Sequence, residues 1–215
     1  MIAALLLLNQ AAQNEPFAQE IAAFEKADRE NPPAPGGIVF VGSSSIRLWT
    51  TLKEDFPKDN VINRGFGGSQ IADSVRYARR IVTPYKPKIV VFFAGTNDIA
   101  DGKSAEIVAR DYASFVEVVR EELPEAKFVY ISISPAPSRW DKIETIRAAN
   151  SLIQKFISRD KNQRFLDTFP LMLDEQGNPR PDLFVEDRLH LNSKGYALWR
   201  KTLAPVLEEL KQSST

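Results

Sequence analysis

The chain has 215 residues, 28 lysines and arginines balanced by 28 aspartates and glutamates, and a single histidine. That length predicts one domain with a substantial core, and the neutral balance, without a long run of one sign, gives no basis for a nucleic-acid or anionic-membrane partner. The absence of cysteine excludes disulfides, thiolate metal sites and cysteine nucleophiles.

Residues Ile2 to Leu8 are all apolar and lead into Asn9-Gln10-Ala11-Ala12-Gln13. The run is too short to cross a bilayer. It resembles the end of a secretory signal with small residues near a cleavage point, although the basic residues that open such a signal are missing. Residues 1–13 are therefore expected to be a truncated signal and residues 14–215 an exported domain, periplasmic or secreted. The competing reading is a hydrophobic N-terminal strand or tail on a cytoplasmic protein. No other stretch has the length and apolarity of a transmembrane segment.

Asn14 to Glu30 has the spacing of an amphipathic helix, with Phe17, Ile21 and Phe24 one turn apart and Asn14 as its cap. The run Asn31-Pro32-Pro33-Ala34-Pro35-Gly36-Gly37 ends it. Short apolar runs then read as strands: Ile38 to Val41, Asn60 to Asn63, Lys88 to Ala94, Phe128 to Ile133 and Arg164 to Asp167. Helical periodicity fills Ile46 to Phe56, Ser69 to Val82, Ala105 to Leu123 and Lys142 to Arg159. A last helix, Ser193 to Leu210, carries Tyr196, Trp199, Leu203, Val206 and Leu210 on one face. Strand and helix alternate without linker or repeat, which predicts an α/β domain around a parallel sheet. The middle strands are apolar without alternation, as strands covered on both faces are.

In an open parallel sheet, ligands bind beyond the carboxyl ends of the strands. The first strand is followed by Gly42-Ser43-Ser44-Ser45, the second by Asn63-Arg64-Gly65-Phe66-Gly67-Gly68-Ser69, and the third by Gly95-Thr96-Asn97-Asp98. Downstream of the fifth comes Asp187-Arg188-Leu189-His190. These are the parts of an acyl-transfer site. A serine hydroxyl needs an adjacent base, the imidazole supplies it, and a carboxylate holds the imidazole in the required tautomer. Backbone N–H groups and an amide can stabilise the oxyanion. His190 is the one side chain whose ordinary pKa lies near neutrality. Taken singly, the glycine-rich stretch reads as a strand–helix turn and Asn97-Asp98 as a turn or cap. Asp98 is expected to cap a helix or brace the Ser44 loop. Glu186 is expected to be solvated.

Together these residues resemble the SGNH hydrolases, the GDSL-type esterases and lipases, over nearly the full length. Gly42-Ser43-Ser44 stands where that family has Gly-Asp-Ser, Asn63 through Gly68 matches Asn-x-x-x-x-Gly, Gly95-Thr96-Asn97-Asp98 matches Gly-x-Asn-Asp, and Asp187 with His190 matches Asp-x-x-His. The resemblance implies a three-layer α/β/α flavodoxin-like fold with a five-stranded parallel sheet. It implies Ser44 as nucleophile, Asp187 and His190 as the rest of a triad, and Ser44, Gly68 and Asn97 as oxyanion donors. It calls for neither a metal nor an organic cofactor. One departure is Ser43 in place of the family aspartate; with serines on both sides of Ser44, the register after Gly42 selects Ser44.

The expected activity is serine esterase chemistry on short-acyl esters such as acetyl, with a saccharide ester as one substrate class, since no long apolar insertion interrupts the motifs. The alternatives are a lysophospholipase or thioesterase for longer chains, and a flavodoxin-like binding module without chemistry. The segment Ser134 to Trp140 should overhang the same sheet edge, where Arg139 and Trp140 either line the substrate pocket or form a stacked surface pair.

Overall fold

The computed structural model describes residues 15–212. Strands β1 (Ile38–Gly42), β2 (Val61–Gly65), β3 (Ile89–Phe93), β4 (Lys127–Ile131) and β5 (Gln163–Leu166) form one parallel sheet in the order β2-β1-β3-β4-β5. The helices are α1 (Ala18–Glu30), α2 (Ser44–Arg47), α3 (Leu52–Asp55), α4 (Ile71–Ile81), α5 (Thr96–Ala100), α6 (Ala105–Glu122), α7 (Ile143–Ile157) and α8 (Ser193–Gln212). The expected signal segment, residues 1–13, and Asn14 lie outside the described residues.

Successive side chains of a strand point to opposite faces, and that alternation builds two cores. Val39, Val41, Val90, Phe92 and Tyr130 pack beneath the helix layer that contributes Ile21, Tyr77, Tyr112 and Ile153. Phe40, Val91, Phe93, Val129 and Ile131 pack on the other face against Trp49, Tyr196, Trp199 and Leu203. The result is the three-layer flavodoxin-like architecture. Because β2 and β3 flank β1, strand order reverses there, and a crevice opens beyond the carboxyl ends of β1 and β3.

Several boundaries differ from the sequence expectation, each for a local reason. The helix expected over Ile46 to Phe56 is two short helices, α2 and α3. Between them Trp49 turns into the core and stacks on Tyr196 with ring centroids 5.3 Å apart. Asp55 accepts from Trp49 Nε1 and Thr51 Oγ1, both at 2.7 Å, and such side-chain bonds compete with a continuous helix. The helix expected from Ser69 begins at Ile71 because Ser69 Oγ bonds back to Phe66 O at 2.8 Å. Asp73 Oδ2 accepts from Gln70 N at 2.8 Å, which caps the new start. β2 runs on to Gly65, in register with Gly42, and a Cβ on Gly65 would strike Arg47 N, so the close approach of α2 requires glycine there. The short helix α5 is a single turn that periodicity does not reveal.

Past β4 the chain leaves the ladder, and Asn150 on α7 takes its place. Its Oδ1 accepts from Ile133 N at 2.8 Å and its Nδ2 donates to Ile133 O at 3.0 Å. Asn150→Ala leaves both buried backbone groups unpaired, at an expected cost of about 2–4 kcal/mol. Urea unfolding should show this as a lower midpoint at an unchanged slope.

Candidate active site

Ser44 is the first residue of α2, at the carboxyl end of β1. Gly42 has φ 145°, and a Cβ there would collide with the carbonyl oxygen of Phe93. Only glycine fits both constraints. The same Phe93 carbonyl accepts from Ser43 N at 3.1 Å, and Gly42 O accepts from Phe66 N at 3.0 Å. The end of β1 is thus held between β2 and β3, and Ser44 is delivered into the crevice.

His190 and Asp187 sit on a turn closed by an antiparallel bridge between Phe184 and Leu191 and by Val185 N donating to His190 O at 2.9 Å. Arg188 takes the left-handed conformation, φ 59°, that lets the chain reverse. Asp187 Oδ1 accepts from the N–H groups of Leu189 (2.8 Å) and His190 (2.9 Å), and Oδ2 lies 2.6 Å from His190 Nδ1. His190 Nε2 lies 2.7 Å from Ser44 Oγ. Residues 146 positions apart in sequence therefore form one hydrogen-bonded chain from carboxylate to ring to hydroxyl. Burial pulls the Asp187 pKa upward, but the His190 ring and the two N–H groups outweigh it and hold the carboxyl at about 2. An ionised Asp187 accepts the proton on Nδ1 and leaves the Nε2 lone pair facing the serine hydroxyl.

The start of α8 keeps this turn in register. Asn192 Nδ2 donates to Asp182 O and Phe184 O, while its Oδ1 accepts from Lys194 N and Gly195 N at the head of α8. One turn on, Tyr196 OH donates to Ser45 O at 2.8 Å, tying α8 to the Ser44 turn. Neither contact was visible in the sequence, where Tyr196 read as one more core residue on an apolar helix face.

Asn97 lines the same cavity as Ser44, with Nδ2 donating to Ser69 O at 3.0 Å. Gly68 is exposed, with φ 82°, and a Cβ there would meet nothing within 4 Å. The N–H groups of Ser44 and Gly68 have no acceptor among the described residues. Asp98 is fully buried and accepts from Ile71 N at 3.2 Å and from Lys103 Nζ at 2.9 Å. It caps α4, the helix after the Gly68 turn, rather than its own. Burial raises its pKa, while Lys103 and the Ile71 N–H pull it back. With Gln70 Nε2 bonded to Asp101 Oδ2 at 2.6 Å, three side-chain bonds clamp the Gly68 turn to the Asn97 helix.

The cavity beside Ser44 is narrow, about 10 Å³ in volume. Arg139 and Trp140 lie half-buried on a 3-10 turn (Pro137–Lys142) and are not part of its wall. Arg139 Nη1 donates to Ser138 O at 3.2 Å, and Ser138 N donates to Arg188 O at 3.0 Å, so this turn braces the Asp187–His190 turn from behind. Among the described residues no helix is long and apolar enough to cross a membrane.

A flavodoxin-like sheet with a serine, histidine and aspartate chain at its switch point is the architecture of an ester hydrolase. Residues 40–198 match the GDSL-like Lipase/Acylhydrolase family, and the chain belongs to that family and with it to the carboxylic ester hydrolases. Bovine (Bos taurus) platelet-activating factor acetylhydrolase IB subunit alpha1 is 28% identical over 179 residues, covering 80% of this chain and 75% of the relative. Among solved structures, a GDSL-like lipase from Bacteroides thetaiotaomicron superposes with a TM-score of 0.73 at 24% identity, over 90% of this chain and 96% of that one. A carbohydrate esterase family 3 protein from Talaromyces cellulolyticus superposes with a TM-score of 0.65 at 22% identity, over 81% of this chain and 98% of that one.

The Asp187 carboxyl should titrate at about 2 when followed by NMR of its side-chain carbon. His190→Ala should move that midpoint up toward the free value of about 3.9. The sign follows from linkage. A folded-state pKa held below the unfolded value stabilises the turn at pH above about 4, and this is lost as pH falls through the folded value.

Proposed function

We propose that this protein is a serine esterase that hydrolyses short-acyl carboxylic esters through an acyl-enzyme, with Ser44, His190 and Asp187 as its triad. The observation that carries this reading is the unbroken chain from Asp187 Oδ2 to His190 Nδ1 (2.6 Å) and from Nε2 to Ser44 Oγ (2.7 Å). Ser44 Oγ attacks the ester carbonyl as its proton passes to His190 Nε2, and Asp187 stabilises the imidazolium. Collapse of the tetrahedral intermediate breaks the bond to the alcohol, which takes the proton from Nε2. Water then repeats the cycle on the acyl-enzyme and releases the acid and free Ser44. The N–H groups of Ser44 and Gly68 and the amide of Asn97 hold the oxyanion in both steps.

The narrow cavity supports a short acyl group over the long chains of a lysophospholipase or thioesterase substrate. The acetylhydrolase activity named for the bovine relative points the same way, and the fungal carbohydrate esterase supports a saccharide ester as a substrate class.

A fluorophosphonate should add once, at Ser44, and Ser44→Ala should abolish both labelling and ester turnover while leaving thermal unfolding in place. An adduct on Ser43 or Ser45 would overturn the assignment, and the absence of any adduct would favour a binding module. Asn97→Ala is expected to lower kcat by about 10²–10³-fold. Across a nitrophenyl ester series from acetyl to palmitoyl, kcat/KM should peak at the shortest acyl group; a rise toward palmitoyl would favour the lipid or thioester reading.

A further inference from the structure

Arg47 lies one turn beyond Ser44 in α2, at the spacing that makes two helical residues neighbours on one face. Its guanidinium rests on Gly67: a Cβ there would come within 2.6 Å of Cζ, 2.7 Å of Nη2 and 3.0 Å of Nε. Cζ is nearer than either nitrogen, which only an approach to the face of the group allows, so the N–H donors along its edge stay open. Gly67 lacks the positive φ of Gly42 and Gly68, and what its missing side chain provides is the seat of this guanidinium. Arg47 is exposed and makes neither hydrogen bond nor ion pair among the described residues, unlike Arg64, Arg120 and Arg164, which each hold a carboxylate. An unpaired arginine on open surface needs no explanation. This one is seated beside Gly68, whose N–H holds the oxyanion in the proposed reaction.

We propose that Arg47 selects esters whose alcohol part carries a carboxylate within a few bonds of the ester oxygen; this rests on the esterase reading and specifies its leaving-group side. The tetrahedral carbon bonded to Ser44 Oγ also bears the oxyanion, the acyl chain and the alcohol oxygen. The oxyanion turns to the N–H groups, and the acyl chain enters the cavity, whose wall does not include Arg47. The alcohol oxygen faces His190 Nε2, so the rest of the alcohol is the part of the substrate free to run outward, where Arg47 is exposed. Consecutive Cα atoms are about 3.8 Å apart, which puts a guanidinium over Gly67 within short reach of an ester bound at Gly68. The edge of a guanidinium presents paired N–H donors that match a carboxylate, and its single charge balances that of one carboxylate. The alcohol is then a hydroxy acid, of which a uronic acid is the saccharide form.

The test follows phenol release from 3-acetoxybenzoate, from the neutral 3-acetoxybenzamide and from the cationic 3-(trimethylammonio)phenyl acetate. Each kcat/KM is divided by the rate constant of the same ester with imidazole, a neutral nucleophile, which removes differences in leaving-group reactivity. The benzoate should exceed the benzamide about three- to tenfold and the cationic ester by more. Arg47→Met should bring the benzoate-to-benzamide ratio to about one, and Arg47→Lys should keep part of it. Gly67→Ala, which evicts the guanidinium without removing its charge, should lower the ratio as well. A wild-type ratio at or below one, with the benzamide still hydrolysed, overturns this inference and leaves the esterase reading standing. A ratio unchanged in Arg47→Met overturns it too. Hydrolysis of none of the three esters removes the esterase reading and this inference with it. Should Arg47→Met fail to fold, the wild-type ratio and Gly67→Ala still decide.

Discussion

The approach of β1 to β3 at Gly42 is the constraint from which the rest of the site follows. A side chain at that position would drive the strands apart, because its Cβ would occupy the space of the Phe93 carbonyl. With the glycine in place, that carbonyl is free to accept from Ser43 N, and Gly42 O accepts from Phe66 N on the other side. Three strand ends are locked together within two residues of Ser44. The lock then propagates through the fold: Tyr196 reaches back to Ser45 O, and Asn192 joins the head of α8 to the turn that carries His190. The 2.7 Å contact between ring and hydroxyl is the end of this sequence of fixed contacts. Loops alone would not hold two groups so far apart in sequence at hydrogen-bond distance.

The two aspartates at the site are treated in opposite ways. Asp187 is half-exposed and has three N–H donors aimed at it, which keep it ionised and able to hold the imidazole. Asp98 is fully buried, and its charge is borne by Lys103, which Asp111 also contacts at 2.9 Å. The first carboxylate orients the ring. The second spans two loops, joining the helix that carries Asn97 to the helix that follows Gly68. In the proposed reaction such positioning matters, because oxyanion donors act only when held in place before charge develops.

Much of this was legible in the sequence for reasons that can be named. The strands announced themselves because burial on both faces leaves no room for polar alternation, as in Ile89–Phe93. The motif residues stand out in the sequence because the chemistry proposed for them demands particular types at strand ends. What could not be read were contacts made at long range by ordinary residue types. Tyr196 looks like any core aromatic until its hydroxyl is seen on Ser45 O. Lys103 looks like a surface lysine until Asp98 is seen beneath it. The break between α2 and α3 is not legible because Trp49 suits a helix face locally, and it is its stack on Tyr196, with the Asp55 bonds to Trp49 and Thr51, that turns the chain inward. Arg139 and Trp140 lie outside the wall of the Ser44 cavity, on a turn whose docking to Arg188 O through Ser138 N no sequence pattern announces.

Ser43, where the family pattern has aspartate, makes physical sense beside these arrangements. The residue is 3% exposed, and its hydroxyl has no protein partner among the described residues. A carboxylate in that place would be buried without the lysine that compensates Asp98 or the N–H groups that compensate Asp187, which is strongly unfavourable. It would also stand next to Ser44, where the proposed reaction develops negative charge on the substrate oxygen. Like charges at such a separation in a low-dielectric crevice oppose the transition state. A hydroxyl there carries no charge, so the negative groups of the site remain on the far side of His190, at Asp187, and on the buried side of α5, at Asp98. In this chain the neutral serine suits a crevice that tolerates hydrogen bonding but not an uncompensated anion.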